Sequence, residues 1–165
     1  MILRYYIIMD YKFYLEKGIQ ETNEGKFDEA LHSLSRAIGL NDESDLAYFS
    51  IAIVYHNIGE LKSAYENYTK AIVHNPNMID AYFNRAQVLL SEKNEKKYPE
   101  ILEDLDKAIE LDPKFIDALY YKAVVQKNMK DYKGAVETLD RVLAIDPQAV
   151  YSKALKILIM TKYMK

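Results

Sequence analysis

The sequence predicts an all-α fold built from a repeated pair of helices, and three features that share one period support this prediction. A small residue followed by a large aliphatic one recurs at intervals of 34, 37 and 34 residues, at Ala37-Ile38, Ala71-Ile72, Ala108-Ile109 and Val142-Leu143. Proline recurs with the same spacing, at Pro76, Pro113 and Pro147, and Asp42 stands in the place of a first proline. Alanine followed by an aromatic residue or leucine recurs at Ala47-Tyr48, Ala81-Tyr82 and Ala118-Leu119.

Each repeat contains two helices, and the second repeat shows both. Its first helix, over 45–57, carries apolar residues at helical spacing and ends before Gly59, a residue type that readily takes the left-handed backbone that often follows a helix. Its second helix carries one apolar face, formed by Leu61, Ala64, Tyr68, Ala71 and Ile72. This helix ends at Asn75-Pro76, because proline lacks the amide donor that a helix interior requires. Gly25 has the position of Gly59 in the first repeat.

The period divides the chain into four repeats, which we assign to 11–44, 45–78, 79–115 and 116–149. Small residues occupy the positions where the two helices of a repeat would cross: Gly18, Ala52, Ala86 and Ala123 on the first helices, and Ala30, Ala64 and Ala135 on the second. Helix axes that approach to about 8–10 Å require small side chains at the crossing. We therefore expect close helix pairs whose stacking supplies the core.

The segment 150–165 is predicted to be a C-terminal capping helix. Val150, Ala154, Leu158 and Thr161 follow one stripe, which we expect to face the last repeat, while Lys153, Lys156 and Lys162 lie elsewhere. A terminal helix with a polar outer face is what a stacked repeat array needs for solubility.

The third repeat is three residues longer than the others, and the surplus lies between Leu90 and Tyr98. Pro99 fits the first turn of the helix that follows, where its missing donor costs nothing. Ile101 replaces the usual alanine at the helix crossing, so we expect this pair to splay or shift slightly. The longer turn is either a solvated charged turn or a protruding contact loop, and the sequence does not separate these alternatives.

Composition excludes several classes of function. The 22 basic residues are spread among 25 acidic ones, with a net charge of −3, so no clustered basic surface for nucleic acid is expected. The chain has no cysteine and therefore no thiolate metal site or thiol nucleophile. No apolar stretch approaches the ~20 residues that span a bilayer. We expect a cytoplasmic protein that contacts no membrane.

Catalytic chemistry is also not expected. His32, His56 and His74 occupy unrelated positions of the repeat, whereas a metal site needs ligands that converge on one point. No glycine-rich phosphate loop is present, and the serines have no histidine near them in sequence or in repeat position. We therefore predict no enzyme activity, no cofactor and no metal.

The opening segment, residues 1–10, is an N-terminal apolar extension, MILRYYIIMD. Its apolar run is too short for a secretory signal, which has about 7–15 apolar residues and a small-residue cleavage site. It is either a helical extension of the first repeat, or the product of an upstream start with Met9 as the natural first residue. An apolar segment of this kind is also a candidate device for homo-oligomerisation.

A helix–turn–helix repeat of this length and pattern resembles the tetratricopeptide repeat. The second repeat supplies the family's signature residues in order, at Tyr48, Ala52, Tyr55, Ala64, Tyr68, Ala71 and Pro76. Shorter sets occur in the other repeats: Tyr14, Gly18, Ala30, Leu34 and Ala37; Tyr82, Ala86, Leu105, Ala108 and Pro113; and Leu119, Ala123, Ala135, Leu139 and Pro147. The resemblance covers residues 11–149. It implies a right-handed α-solenoid of about nine helices in antiparallel pairs.

The resemblance also implies a function. In this family the first helix of each repeat lines a concave groove that binds a peptide or helix of a partner protein. The positions one, two and five after the large aromatic residue face that groove, and from them we choose Leu15, Ile19, Phe49, Ile53, Phe83, Asn84, Gln87, Tyr120, Tyr121 and Val124. Phe49, Phe83 and Tyr120 would form an aromatic ladder, and Asn84 and Gln87 would bond a partner's backbone. The alternative is that these aromatic rings pack internally.

Family members that clamp the acidic carboxyl terminus of heat-shock chaperones carry lysine, asparagine and arginine at set groove positions. The corresponding sites here are Leu15, Ile19, Ser50, Asp80 and Asn84. With the frame shifted by one repeat they are Phe49, Ile53, Asn84, Asp117 and Tyr121, and only Asn84 in this second set matches. Without the cationic pair nothing neutralises a terminal carboxylate, so a chaperone clamp is not expected. The sequence favours a non-catalytic protein-binding scaffold of unidentified partner. A self-assembling scaffold that uses the apolar N-terminal segment is the alternative.

Overall fold

The computed structural model describes the backbone of residues 2–164 and the side chains of residues 6–164. Within this part the chain is all-α, with no strand. The helices are α1 (Ile2–Asn23), α2 (Phe27–Leu40), α3 (Asp45–Asn57), α4 (Leu61–His74), α5 (Ile79–Ser91), α6 (Tyr98–Leu111), α7 (Ile116–Asn128), α8 (Tyr132–Ile145) and α9 (Val150–Tyr163). A short 3₁₀-helix, Glu95–Lys97, precedes α6. Every predicted repeat therefore contains two helices.

The chain divides into two compact units, Met1–Glu92 and Lys93–Lys165. In the N-terminal unit α1 packs on α2 and α3 on α4, while α2 contacts α3 and α4 contacts α5. In the C-terminal unit α7 packs on α8. Helix α6 contacts α7, and α9 contacts α8. The division falls inside the third repeat, at the long turn that the sequence places between Leu90 and Tyr98.

The small residues at the predicted helix crossings are buried, as expected. Ala30, Ala52, Ala64, Ala86, Ala123 and Ala135 have no exposed surface. At Gly18 a Cβ atom would lie 2.5 Å from Leu34 Cγ and 3.2 Å from the Leu34 backbone nitrogen. Helix α1 therefore approaches α2 too closely for any side chain at position 18 without a shift of Leu34.

The helix ends explain why glycine follows the first helices of the first two repeats. Gly25 and Gly59 have φ angles of +75° and +82°, in the left-handed region that glycine enters without steric cost. Lys93 and Lys130 take the same backbone conformation at the corresponding turns of the third and fourth repeats, with φ angles of +54° and +67°. Left-handed backbone costs a residue with a Cβ about 1–2 kcal/mol.

Helix α9 packs through a different face from the one predicted. Ser152 and Ile159 are buried, and Leu155 packs against the core cluster of α7 and α8. Val150 is 71% exposed and Leu158 45% exposed, so the prediction that their stripe faces the last repeat is wrong. Lys156 of α9 also pairs with Asp140 of α8.

The N-terminal segment continues α1, because helix begins at Ile2. Met1 and the side chains of residues 2–5 lie outside the described part of the segment 1–10. The apolar side chains that follow are exposed: Tyr6, Ile7, Ile8, Met9 and Phe13.

Candidate partner-binding surface

The N-terminal unit places most of the predicted groove residues of its repeats on α1, α3 and α5, half-buried. They are Ile19 on α1, Phe49 and Ile53 on α3, and Phe83, Asn84 and Gln87 on α5. We call these residues the N-terminal face. Phe49 and Ile53 pack against one core cluster and still keep part of their surface in contact with solvent.

Leu15 does not belong to this face. It is buried to 8% exposure in a core cluster with Leu34 and Ile51. The leucine side chain is small enough to pack between α2 and α3, both of which contact α1. We therefore remove Leu15 from the candidate surface. Ser50, at the neighbouring position of α3, is also buried, and its hydroxyl donates a hydrogen bond to the Leu46 carbonyl oxygen at 2.8 Å.

Phe49 serves the core as well as the surface. Its ring centroid lies 5.6 Å from that of Tyr68, with the two ring planes tilted by 60°. Tyr68 is almost fully buried, and this burial raises the pKa of its phenol well above the ordinary value. The inner side of the Phe49 ring thus packs internally, as the alternative interpretation of the sequence held, while the remaining surface is available to a partner.

Asn84 and Gln87 give the N-terminal face its polar groups. They lie three residues apart on α5 and so share one side of the helix. No hydrogen bond joins the Asn84 side chain to another described residue. The Gln87 amide nitrogen Nε2 is buried and has no hydrogen-bond partner in the described part of the chain. A buried donor without a partner costs about 1–3 kcal/mol, so this position is an unusual place for a glutamine that serves stability alone.

The C-terminal unit has an open pocket of about 390 Å³ at the N-terminal turns of α7 and α9. Two predicted groove residues, Tyr120 and Tyr121, line it, with their ring centroids 5.6 Å apart in an edge-to-face arrangement. The remaining lining residues are Ile116, Asp117, Ala149, Val150, Tyr151 and Ser152. Val124 is half-buried one turn further along α7 and is not among the residues that line the pocket.

Comparison with protein families decides what kind of chain this is. Models of the tetratricopeptide repeat match residues 15–71 and residues 94–158, which together make up well over half of the chain. The chain is a tetratricopeptide repeat protein.

A curated relative of this tetratricopeptide repeat protein is human sperm-associated antigen 1, which is 29% identical over 108 residues. The match covers 66% of this chain and only 11% of the human protein. The relative is therefore far longer than the part to which this chain corresponds.

Solved structures show the fold. A tetratricopeptide repeat protein from Parabacteroides merdae aligns with a TM-score of 0.83 and 19% identity, covering 92% of this chain and 59% of that one. MamA from Desulfovibrio magneticus RS-1 aligns with a TM-score of 0.82 and 18% identity, covering 92% of this chain and 84% of that one. These likenesses confirm the predicted fold class, an all-α solenoid of the tetratricopeptide type.

The described residues of this tetratricopeptide chain do not include a group of three or more histidine and carboxylate residues that could hold a metal ion. An open pocket of about 510 Å³ between α1 and α2 is lined in part by Tyr14, His32 and Arg36. The Arg36 guanidinium donates a hydrogen bond to the Tyr14 hydroxyl at 2.7 Å and also lies over the Tyr14 ring. The two side chains that line this pocket are therefore bonded to each other. None of the helices, over the part of the chain that the structure describes, is long and apolar enough to cross a bilayer.

The sequence analysis missed two residues that the C-terminal pocket brings together, Asp117 and Tyr151. Asp117 precedes the chosen groove residues Tyr120 and Tyr121 by one helical turn on α7, so the helical period alone places it on their side. Tyr151 had no comparable signal, because α9 was expected to be a polar cap. It is 80% exposed at the edge of the pocket.

Proposed function

We propose that this tetratricopeptide repeat protein is a non-catalytic scaffold that binds a segment of a partner protein on the first helices of its repeats. The observation that carries the proposal is the Gln87 amide, a buried donor that has no partner among the described residues and lies on the same side of α5 as Asn84, whose side chain bonds none of them either. A peptide backbone offers carbonyl oxygens to Asn84 directly, and to Gln87 once its Nε2 turns out of its buried position.

The apolar part of the N-terminal face supports the same kind of ligand. Phe49 and Ile53 pack against a core cluster, so their exposed edges are held in place and lose little freedom on binding, and Phe83 on α5 is also half-buried. Well-ordered aromatic side chains beside a few amide groups are typical of protein-binding sites. A partner segment with apolar side chains at intervals would cover these edges while its backbone bonds Asn84 and Gln87.

Site-specific photo-crosslinking tests this proposal. The crosslinking residue p-benzoylphenylalanine replaces Asn84 on the N-terminal face, and in a control chain it replaces Lys62 on α4. Lys62 is a suitable control because its side chain is 90% exposed and lies on a second helix. We expect a specific partner to crosslink from position 84 and not from position 62. The same partner from both positions would contradict the proposal, and so would the absence of any crosslink both from position 84 and from a further chain with the crosslinker at Phe83, which keeps the two amides.

A binding measurement then checks the roles of the two amides. The partner segment identified by crosslinking is synthesised, and its affinity is measured by fluorescence anisotropy for the wild type and for Asn84→Ala/Gln87→Ala. We expect at least a tenfold loss of affinity with a melting temperature that does not fall, because Asn84 bonds no other described residue and Gln87→Ala removes a buried donor that has no described partner. Equal affinities would place the segment elsewhere.

The exposed start of α1 favours a second candidate function, self-assembly of the scaffold. Tyr6, Met9 and Phe13 are each more than half exposed, at 60%, 51% and 59%, and Ile7 and Ile8 beside them are exposed as well. A group of exposed apolar side chains at one end of a helix is typical of an association site. The occupant would be a second copy of the chain.

Light scattering over a concentration series tests self-assembly. If the second candidate is right, the full chain forms oligomers that a chain without residues 1–8, or with Ile8→Gln/Met9→Gln, does not form. The matched control is Ile157→Gln/Met160→Gln, which makes two exposed apolar side chains of α9 polar and leaves α1 unchanged. A monomer at all concentrations, or equal loss of oligomers in the control, would exclude α1 as the association site.

A further inference from the structure

The pocket between the N-terminal turns of α7 and α9 has a composition unlike that of the N-terminal face. Tyrosine supplies three of its lining side chains, Tyr120, Tyr121 and Tyr151, and Asp117 supplies the one carboxylate. No lysine, arginine or histidine is among the described residues that line it. The pocket is thus both aromatic and negatively charged.

We propose that this pocket binds an arginine side chain of the partner segment, with the guanidinium between the tyrosine rings and Asp117. The inference rests on the proposed function in that the arginine belongs to a bound protein segment. Tyrosine faces attract cations through the negative side of the ring, and arginine makes such contacts more often than lysine does. A planar guanidinium also stacks on aromatic rings and bonds a carboxylate through parallel N–H donors.

Asp117 is available for such a bond. It is exposed in the first turn of α7 and has no ion-pair partner among the described residues. Other carboxylates on this unit are already engaged: Asp106 pairs with Lys122 and Asp140 with Lys156. A cation in the pocket can therefore pair with the Asp117 carboxylate without displacing a described lysine.

Tyr151 gives the pocket an outer wall. Its side chain is 80% exposed, so most of the ring lies in water. Tyr120 packs against the core cluster of α7 and α8, so the inner wall is fixed. A guanidinium that enters between an ordered inner ring and an exposed outer ring buries surface of Tyr151 that the free chain leaves in water.

The N-terminal end of α9 disfavours a bound cation and favours a bound anion instead. No side chain caps this helix, so its first amide groups present partial positive charge near Ala149 and Val150. The same amide N–H groups can donate hydrogen bonds to carbonyl oxygens of an extended segment. Asp117 disfavours a bound anion, and the tyrosine rings favour a cation. A carboxylate ligand is therefore the outcome that the test must be able to detect.

The test uses small probes on the full chain. N-acetyl-arginine amide is titrated into protein with labelled tyrosine rings, and ring signals are followed by NMR. N-acetyl-citrulline amide is the matched neutral probe, since it has the shape of arginine without its charge, and N-acetyl-glutamate amide is the anionic probe. We expect the signals of Tyr120, Tyr121 and Tyr151 to shift with arginine, while Tyr65 on α4 stays unchanged. Citrulline should bind at least fivefold more weakly.

Two carboxylate variants complete the test. Asp117→Asn should weaken binding of the arginine probe at least fivefold, and Asp80→Asn should leave it unchanged. Asp80 is the matched control because it lies at the same position of the third repeat, exposed in the first turn of α5 and outside the pocket. Equal binding of citrulline, tighter binding of the glutamate probe, no effect of Asp117→Asn, or the absence of any tyrosine shift would each overturn the inference.

This outcome is separate from that of the proposed function. The probes need no partner protein, and the crosslinking experiment reports on α5 in the other compact unit. Arginine binding without a crosslinked partner at position 84 would leave the pocket in place and remove the N-terminal face. A crosslinked partner without arginine binding would do the reverse.

Discussion

Replacement of Gly18 by alanine is the sharpest test of how the helix pairs are built. A Cβ atom at position 18 would lie 2.5 Å and 2.7 Å from two side-chain carbons of Leu34, well inside contact distance. Leu34 is fully buried and cannot move freely. Added bulk in a packed site typically costs about 1–3 kcal/mol. Alanine also favours the helix over glycine by about 1 kcal/mol, so the net loss of stability is smaller than the packing cost.

A second glycine in the same unit separates these two effects. Gly39 lies in α2, and a Cβ atom there would meet nothing within 4 Å. Gly39→Ala should therefore stabilise the chain, by about 0.5 kcal/mol or somewhat more, through helix propensity alone. We expect Gly18→Ala to be less stable than Gly39→Ala by about 1–3 kcal/mol. Urea unfolding followed by circular dichroism measures both, with midpoints compared at equal slopes. A Gly18→Ala chain as stable as Gly39→Ala would refute the close approach of α1 and α2.

Three further predictions concern stability. Lys130→Gly should raise the free energy of unfolding by about 1 kcal/mol by removing left-handed strain, whereas Lys127→Gly, inside α7, should lower it by a similar amount. Ile159→Ala should cost about 2–4 kcal/mol and the exposed Val150→Ala under about 0.5 kcal/mol; equal losses would contradict the observed face of α9. Burial lowers the pKa of His56 below its ordinary 6.5, so the unfolded chain binds more protons and stability should fall as pH decreases below 6.5. His56→Gln should reduce that fall, and urea midpoints at pH 7 and pH 5 measure it.

Much of the fold follows from the sequence because its signals are local and repeated. Ala52, Ala64 and Ala123 are small because two helices approach closely at these positions. Gly25 and Gly59 are glycines because the backbone is left-handed there. The signal fades where the chain accepts strain. Lys130 takes the same conformation as Gly59, and no property of lysine announces it.

The depth of burial at the candidate surface was harder to predict. Leu15 and Phe49 have the same position in their repeats, yet Leu15 is core and Phe49 half-buried. The position in the repeat predicts the direction of a side chain, but side-chain size and the neighbouring helices determine how deeply it is buried. The packed face of α9 was mistaken for a related reason. Apolar residues occur on all sides of α9, so its sequence pattern did not distinguish the side of Ile159, which is buried, from the side of Val150, which is exposed.

The central claim is that a partner segment lies on the first helices and bonds the amides of α5. Side-chain NH₂ signals in a ¹⁵N-labelled chain test it most directly, with the crosslinked segment as the titrant. Asn67 on α4 is an internal reference, because its side chain donates to the Ser63 carbonyl oxygen at 2.8 Å on a second helix. We predict that the Asn84 and Gln87 signals shift to saturation while the Asn67 signal stays in place. Unchanged Asn84 and Gln87 signals, or an equal shift of Asn67, would contradict it.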